Sequence, residues 1–478
     1  MAGSASRALA TTSETDPMSF DAGSFRDPSG RVLRHDSRIL RAVFEPGVAA
    51  YEAARDAGVL DRAIDRGQLL PANAVEGSGF NGLAPGAQHW LEHPRLEFVS
   101  YPYEWTFSTL KAAALLQLDF QIALLADGFT LSDATAYNIQ FRGTKPVFID
   151  HLSIIPYEEG SIWAGQRQFG MQFLNPLFLW AKRGIAPHSW FRGSVEGIEP
   201  EDVAKLLGWR DKLSFTVLAH IIGPAMVARR RIEAGLDAKP PRQATLTKTR
   251  LVAMLRSLRD YVAALSLPDG KTVWDDYADN NSYDAARREA KHEFVGEAVT
   301  AVAPSKLFDI GCNSGDFSQT AIEHGAAYVV GFDFDFGALE RAFARFDQTG
   351  APVQPLWLDA ANPSPSQGWA GSERASLQDR ADADMILALA VIHHLAIGKN
   401  VPLDMAVDWL MNLAPTGVIE FPSKSDPMVQ QLLKHRPDIF PNYTEEAFLA
   451  HVASRGAVTR QDRLGETGRL IVTYDRRI

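Results

Sequence analysis

From about residue 295 onward, short apolar runs (KLFDI, AYVVGF, VQPLWL, DMILALA and GVIEF) alternate with segments of helix length. That alternation predicts a parallel sheet covered by helices, an α/β domain of the doubly wound type. The last segments break the pattern. After a helix from about Thr444, GAVTRQDRL and RLIVTYD are separated by only a short turn. They predict a closing hairpin, which places one antiparallel strand in an otherwise parallel sheet.

The clearest break in the chain lies between about residues 233 and 300. There EAGLDAKPPRQATLTKTR mixes Gly, Pro, Thr and charge without apolar periodicity, as a loop or linker does. A helical pattern, LVAMLRSLRDYVAAL, and a polar, aromatic stretch, WDDYADNNSYDAARREAKHEFVGEAV, follow it. No internal repeat occurs. The expected division is a disordered leader over 1–24, an α+β domain over 25–232, a linker and helical lid over 233–294, and the α/β domain over 295–478.

Composition narrows the partners. The 478 residues are 46% hydrophobic and 22% charged, an ordinary globular balance for two or three domains. A formal net charge of -10 excludes a globally basic nucleic-acid-binding surface, and no nucleic-acid partner is expected. The single cysteine, Cys312, excludes an intramolecular disulfide and a Cys-rich zinc site, which suits a cytoplasmic protein. The first twenty residues lack the apolar core of a signal peptide. The apolar stretch from Phe215 to Ala228 contains His220 and Pro224 and is too short to span a bilayer. It reads as a buried helix, and its flank of Arg229, Arg230 and Arg231 leaves weak peripheral membrane contact as the other reading. From Arg229 to Arg259 the local charge is basic, which fits a solvated linker or a phosphate-bearing or acidic-lipid partner.

The candidate chemistry begins where the first strand of the α/β domain ends in Asp309-Ile310-Gly311-Cys312-Asn313-Ser314-Gly315 and opens into a helix. Gly311 and Gly315 sit where the chain must turn sharply beside a ligand. The next strand ends in Asp333, placed to accept hydrogen bonds from both ribose hydroxyls, and VQPLWL ends near Asp359, close to where an adenine amino group would lie. In this order FDIGCNSGDFS, VVGFD, LWLDA and ADMILALAVIHHL resemble the class I S-adenosylmethionine-dependent methyltransferases over roughly residues 295 to 478. The resemblance implies a Rossmann-like sheet with S-adenosyl-L-methionine as cofactor. Asp309, Gly311, Asn313 and Gly315 would face its methionine part, Asp333 its ribose and Asp359 its adenine. Asn313 stands where that family often has a third glycine, and Asn tolerates the left-handed turn such a position requires. The competing cofactor is a dinucleotide, but Gly311-x-Asn313-x-x-Asp316 lacks the second and third glycines of its fingerprint.

Past the fourth strand, His393 and His394 stand at the mouth where an acceptor would meet the methyl group. One of them fits a general base, with His394 favoured; helix capping or packing is the alternative. Glu420 and Asp426 line the same edge as second-rank substrate contacts, with N-capping the alternative for Asp426. Tyr277, Tyr283 and Lys291 lie on a segment that fits either a lid over the cofactor or a solvated helix.

The N-terminal half carries a second pattern. Asp133-Ala134-Thr135-Ala136-Tyr137-Asn138, then IQF, a turn and PVFI ending in Asp150, resembles the catalytic segment of protein-kinase-like and aminoglycoside-phosphotransferase-like folds. The resemblance would make Asp133 the residue that orients the nucleophile, with Asn138 and Asp150 holding magnesium on ATP. SGRVLR and RILRAVF then read as paired small-lobe strands, GVAAYEAARDAGVL as a helix carrying Glu52, RLEFVSYPYEWT as an interlobe strand, and LKAAALLQLDFQIALLADGF as the long core helix. No glycine-rich phosphate loop and no strand lysine are present, so Arg34 or Arg41 would have to substitute; ATP with magnesium is not favoured. The dense aromatics Trp163, Phe169, Phe173, Phe178 and Trp180 read as core, with a sugar platform as the alternative. The whole chain, including YPYEW and FID, resembles nodulation-associated methyltransferase-like proteins. The reading is a methyltransferase acting on oxygen or nitrogen of a small molecule or glycan. A bifunctional kinase and methyltransferase, or a cofactor-sensing scaffold without catalysis, is the alternative.

Overall fold

The computed structural model describes residues 19–77, 79–80, 82–227, 245–268, 285–464 and 468–478. Most of the leader, most of the linker, and Tyr277 and Tyr283 of the expected lid lie outside them.

The C-terminal sheet has seven strands: β10 (Leu307–Ile310), β11 (Val329–Asp333), β12 (Val353–Trp357), β13 (Met385–Ala388), β14 (Thr416–Phe421), β15 (Ala457–Leu464) and β16 (Arg469–Asp475). Their spatial order is β12-β11-β10-β13-β14-β16-β15. β10 to β14 pair in parallel, and β16 returns antiparallel to both β14 and β15, so the expected closing hairpin is present. Every residue of β10, β13 and β14 is buried, because helices cover both faces.

The N-terminal half is α+β. A five-stranded antiparallel sheet is ordered β1-β2-β3-β5-β4, from β1 (Ser19–Phe20), β2 (Gly30–His35), β3 (Arg38–Val43), β4 (Asn73–Val75) and β5 (His89–His93). The helix α1 (Glu45–Asp56) follows β3. The long helix α2 (Phe107–Ala126) runs through the core. It is the one described helix long and apolar enough to cross a bilayer, and more than half of its apolar window is buried inside the protein. β6 (Phe129–Leu131) pairs antiparallel with β9 (Ile154–Pro156), and between them the hairpin β7 (Ile139–Arg142) and β8 (Lys145–Phe148) carries the chain from Asn138 to Asp150.

RLEFVSYPYEWT is not a strand. Ser100 spends its backbone N–H and C=O on the side-chain amide of Gln140, at 3.0 Å each, instead of on a neighbouring strand. Pro102–Glu104 then forms a 3-10 turn. The segment joins the halves: Phe98 packs edge-on against Phe308 and Phe332, with centroids 5.5 and 5.9 Å away, while Ser100 Oγ accepts from Gln354 at 3.1 Å. One hydrophobic cluster therefore runs from the N-terminal half into the parallel sheet. The aromatics Trp163, Phe169, Phe173, Phe178 and Trp180 are all buried in it, which leaves no sugar platform among them.

The helix Phe215–Val227 departs from expectation. Val217, Ile221 and Ala225 are buried, but Phe215, Leu218, Met226 and Val227 are exposed, so only one face is buried.

Four buried histidines set a pH limit on this fold. Burial holds His93 at about 4, His188 at about 3 and His393 at about 2, and His151 well below its usual value. Each stays neutral when folded but takes a proton when unfolded. Their stability is therefore complete above about pH 6.5 and is lost as pH falls, on the order of 1 kcal/mol per histidine per pH unit. Asp133 and Asp309, both pushed up to about 7 chiefly by burial, work the other way, gaining stability as pH falls toward the unfolded carboxylate range. Burial also lowers His220 and His394 and raises Asp333, so the histidines outnumber the carboxylates. The thermal midpoint is expected to fall steeply between pH 6.5 and 5, and a flat calorimetric profile over that range would show that these histidines are solvated.

Candidate functional site

In the parallel sheet, chain order runs outward from β10 through β11 to β12 and then jumps back to β13 on the other side of β10. The carboxyl end of β10 is thus the switch point, where adjacent connections leave in opposite directions and open a crevice. The turn Gly311–Gly315 occupies it. Its Gly311 and Cys312 N–H groups both donate to Phe332 O of β11, at 2.7 and 2.9 Å.

Three residues of the turn are left-handed: Gly311 at φ 78°, Asn313 at 50° and Gly315 at 83°. The requirement for glycine has a protein cause beside the ligand one. A Cβ on Gly311 would lie 2.6 Å from Val391 Cγ2, and one on Gly315 would lie 2.5 Å from Phe346 Cε2. Asn313 adopts the left-handed conformation, as Asn can, and its Oδ1 accepts from Ser314 N–H at 2.7 Å.

Asp333 closes the turn from β11. One oxygen accepts from Asn313 N–H and the other from Asp335 N–H, each at 2.8 Å. The carboxylate is half-buried, burial raises its pKa against these hydrogen bonds, and each oxygen keeps further acceptor capacity. Asp359, half-buried beyond β12, accepts from Ala361 N–H at 3.0 Å. Asp309 differs from both: it is 1% exposed and accepts from Ser318 Oγ at 2.7 Å, which ties β10 to the helix α3 (Asp316–Glu323) under the turn. It supports the turn from below.

The two histidines are separated by their surroundings. His393 is 1% exposed, packs against His394 at 4.1 Å between ring centroids, and has no hydrogen-bond partner on either ring nitrogen. Burial first, then His394 and Arg469, hold its pKa at about 2, which makes it a packing residue and too weak a base near neutral pH. His394 is half-buried and lowered less, by burial and then Arg469.

Glu420 and Asp426 are taken up by a buried ion network. Lys291 Nζ donates to Glu420 Oε2 at 2.6 Å; Arg469 reaches Glu420 Oε1 at 3.2 Å and Asp426 at 2.6 and 3.0 Å. Burial alone would raise the Glu420 carboxyl, but Lys291 and Arg469 together pull it below its ordinary value. Asp426 also caps the next helix by accepting from Met428 N–H at 2.9 Å. Lys291 is buried, which overturns its reading as part of a solvated helix surface. Sequence reasoning missed Arg469; the available signal was a lone charge opening the apolar run LIV.

In the N-terminal half the structure brings Asp133, Asn138 and Asp150 together. Asn138 Nδ2 lies 3.2 Å from Asp133 Oδ1 and 3.5 Å from Asp150 Oδ2, and the Ser153 hydroxyl bridges the two acids. Arg41 of β3 occupies Asp150 Oδ1 at 2.5 Å, while Arg34 pairs with Asp21 at 2.5 Å and Glu52 with His89 at 3.0 Å. Burial and the Asp150 charge lift Asp133 to about 7. Among the described residues, no group of three or more His, Cys, Asp or Glu side chains is arranged to hold a metal ion.

No family model matches the chain. Of solved structures, the N-methyltransferase NodS from Bradyrhizobium japonicum WM9 is 14% identical over 40% of this chain and 97% of that one, with a TM-score of 0.30. The PH0226 protein from Pyrococcus horikoshii OT3 is 16% identical over 43% and 99%, with a TM-score of 0.32. Those overlaps are too low to carry an inference about activity. A full-length relative is much nearer: nodulation protein NoeA of Rhizobium meliloti (strain 1021) is 45% identical over 457 residues, 95% of this chain and 96% of that protein. Because that alignment takes in 95% of the chain and so reaches into both halves, the chain belongs to the family of nodulation protein NoeA.

Proposed function

We propose that the chain transfers a methyl group from S-adenosylmethionine to an oxygen or nitrogen of a small-molecule or glycan acceptor. The observation that carries this reading is the left-handed Gly311–Gly315 turn at the switch point, locked to the Asp333 carboxylate. The residues fit the cofactor: the turn gives close backbone approach, Asp333 retains acceptor lone pairs for ribose hydroxyls, and Asp359 lies at the end of the neighbouring strand for the adenine amino group. When bound, the sulfonium supplies an activated methyl and its own leaving group. The chain supplies binding and alignment, and a good nucleophile needs little more. His394 is the remaining candidate to accept the acceptor's proton or position it.

A dinucleotide fits less well. Its diphosphate would need free N–H groups at the start of α3, but Ser314 N–H is already held by Asn313 Oδ1. Asp316 there engages both nearby guanidinium groups, of Arg288 at 2.7 Å and Arg345 at 2.6 Å. Phosphotransfer in the N-terminal half is disfavoured for a related reason: magnesium on Asp150 would have to displace Arg41.

Calorimetric titration of the purified protein with S-adenosylmethionine, S-adenosylhomocysteine, NAD, and ATP with magnesium tests both statements. The first two are expected to bind and NAD not to. ATP with magnesium is expected to bind weakly or not at all. Tight magnesium-dependent ATP binding that Asp150→Ala abolishes would overturn the second statement and promote the bifunctional reading.

A further inference from the structure

The described surface exposes large apolar side chains most densely between residues 206 and 227. Leu206, Trp209, Leu213, Phe215, Leu218 and Met226 are all exposed, with Trp209, Leu213 and Phe215 at 70%, 75% and 76%. The spacing makes them one surface. Phe215, Leu218 and Met226 recur at helical intervals on the Phe215–Val227 helix, opposite Val217, Ile221 and Ala225, which hold its other face against the core. Trp209 and Leu213 lead directly into that helix.

The charges beside this surface identify its occupant. Among the described residues Arg210 and Lys212 flank Trp209 and Leu213, while Lys205 is paired with Asp202 at 2.8 Å; the sequence continues past the helix with Arg229, Arg230 and Arg231, in a chain whose formal net charge is -10. Asp211 is already paired with Arg183. Arg210 and Lys212 are exposed, and the Arg210 guanidinium lies over the Trp209 ring at 5.1 Å. An apolar stripe with an indole beside it and cations at its margin matches the two layers of a membrane surface, acyl chains below and anionic headgroups above. A second copy of the chain fits worse, because a two-fold interface through this patch would bring two basic margins together.

We infer that Trp209, Leu213 and the exposed face of Phe215–Val227 dock the protein on the surface of an anionic lipid bilayer. The insertion is shallow and peripheral, since the opposite face of the helix belongs to the core. It is a property of the N-terminal half and is independent of the methyl-transfer reading.

Co-sedimentation of the full-length protein with vesicles tests it. The protein is expected to pellet with phosphatidylglycerol–phosphatidylcholine vesicles in low salt, and at least tenfold less with pure phosphatidylcholine or in 1 M salt. Leu213→Glu with Phe215→Glu is expected to lower vesicle binding at least tenfold, and Arg210→Glu with Lys212→Glu likewise. Both pairs should leave the melting temperature and S-adenosylhomocysteine binding unchanged, since all four side chains are solvated. Failure of the wild type to pellet at low salt overturns the inference, as does binding that survives both pairs. A concentration-dependent dimer that the apolar pair abolishes, without vesicle binding, would also overturn it and assign the face to a second copy.

Discussion

Replacing Arg380 with Ala is expected to lower the unfolding free energy by about 3 to 5 kcal/mol, because it strands the buried Glu104 carboxylate without a counter-charge. The guanidinium donates to Glu104 from two nitrogens and to Val99 O at 2.6 Å, and it lies over the rings of Phe98 and Tyr101 at 5.0 and 4.6 Å. Glu104 in turn accepts from Tyr101 N–H at 3.0 Å, so the pair fixes the YPYEW segment against the C-terminal half. Urea unfolding measures the effect. A double change of Glu104→Leu with Arg380→Met should recover most of the loss, since replacing both partners removes the stranded charge. A loss below about 1 kcal/mol in the single variant would place the pair in solvent. As the hydrophobic cluster is continuous across both halves, a single cooperative transition is expected in the wild type.

Gly311→Val is expected to remove cofactor binding, with affinity for S-adenosylmethionine falling more than a hundredfold. A β-branched residue is strained at φ 78°, and its Cβ would enter the space of Val391 Cγ2, 2.6 Å away. The turn must move, and with it the Asn313 N–H that anchors Asp333. Circular dichroism and calorimetry on the same sample separate a displaced turn from an unfolded domain. Normal binding in a folded Gly311→Val protein would show that the turn is not the cofactor cradle.

The C-terminal sheet was legible because strands covered on both faces are apolar throughout. KLFDI, DMILALA and GVIEF are such runs, and the short gap before RLIVTYD predicted the antiparallel return. Glycine punctuation marked the turn at Gly311 and Gly315, although sequence assigned their need for glycine to the ligand, while the structure adds Val391 and Phe346. Features that depend on distant partners were not legible. Arg469 meets Glu420 and Asp426 across more than forty residues, and nothing local marks that pairing. The kinase-like resemblance makes the Ser100 segment an interlobe strand, but the Gln140 side chain takes its backbone groups. Sequence favours His394 over His393 only by its place beyond the fourth strand; burial separates them further, leaving His393 without a polar partner on its ring. In the N-terminal half the carboxylates came together as the local pattern suggested, and the Arg41 contact with Asp150 emerged only from the fold.

Asp333 and the turn it locks are proposed to hold the cofactor. Titrating S-adenosylhomocysteine into the wild type and into Asp333→Ala tests it most directly. The wild type should bind, and the variant should bind about 5- to 150-fold more weakly while remaining folded, because it loses a charge-assisted acceptor worth roughly 1 to 3 kcal/mol. Equal affinity in the two proteins, or no binding by the wild type, would contradict the account.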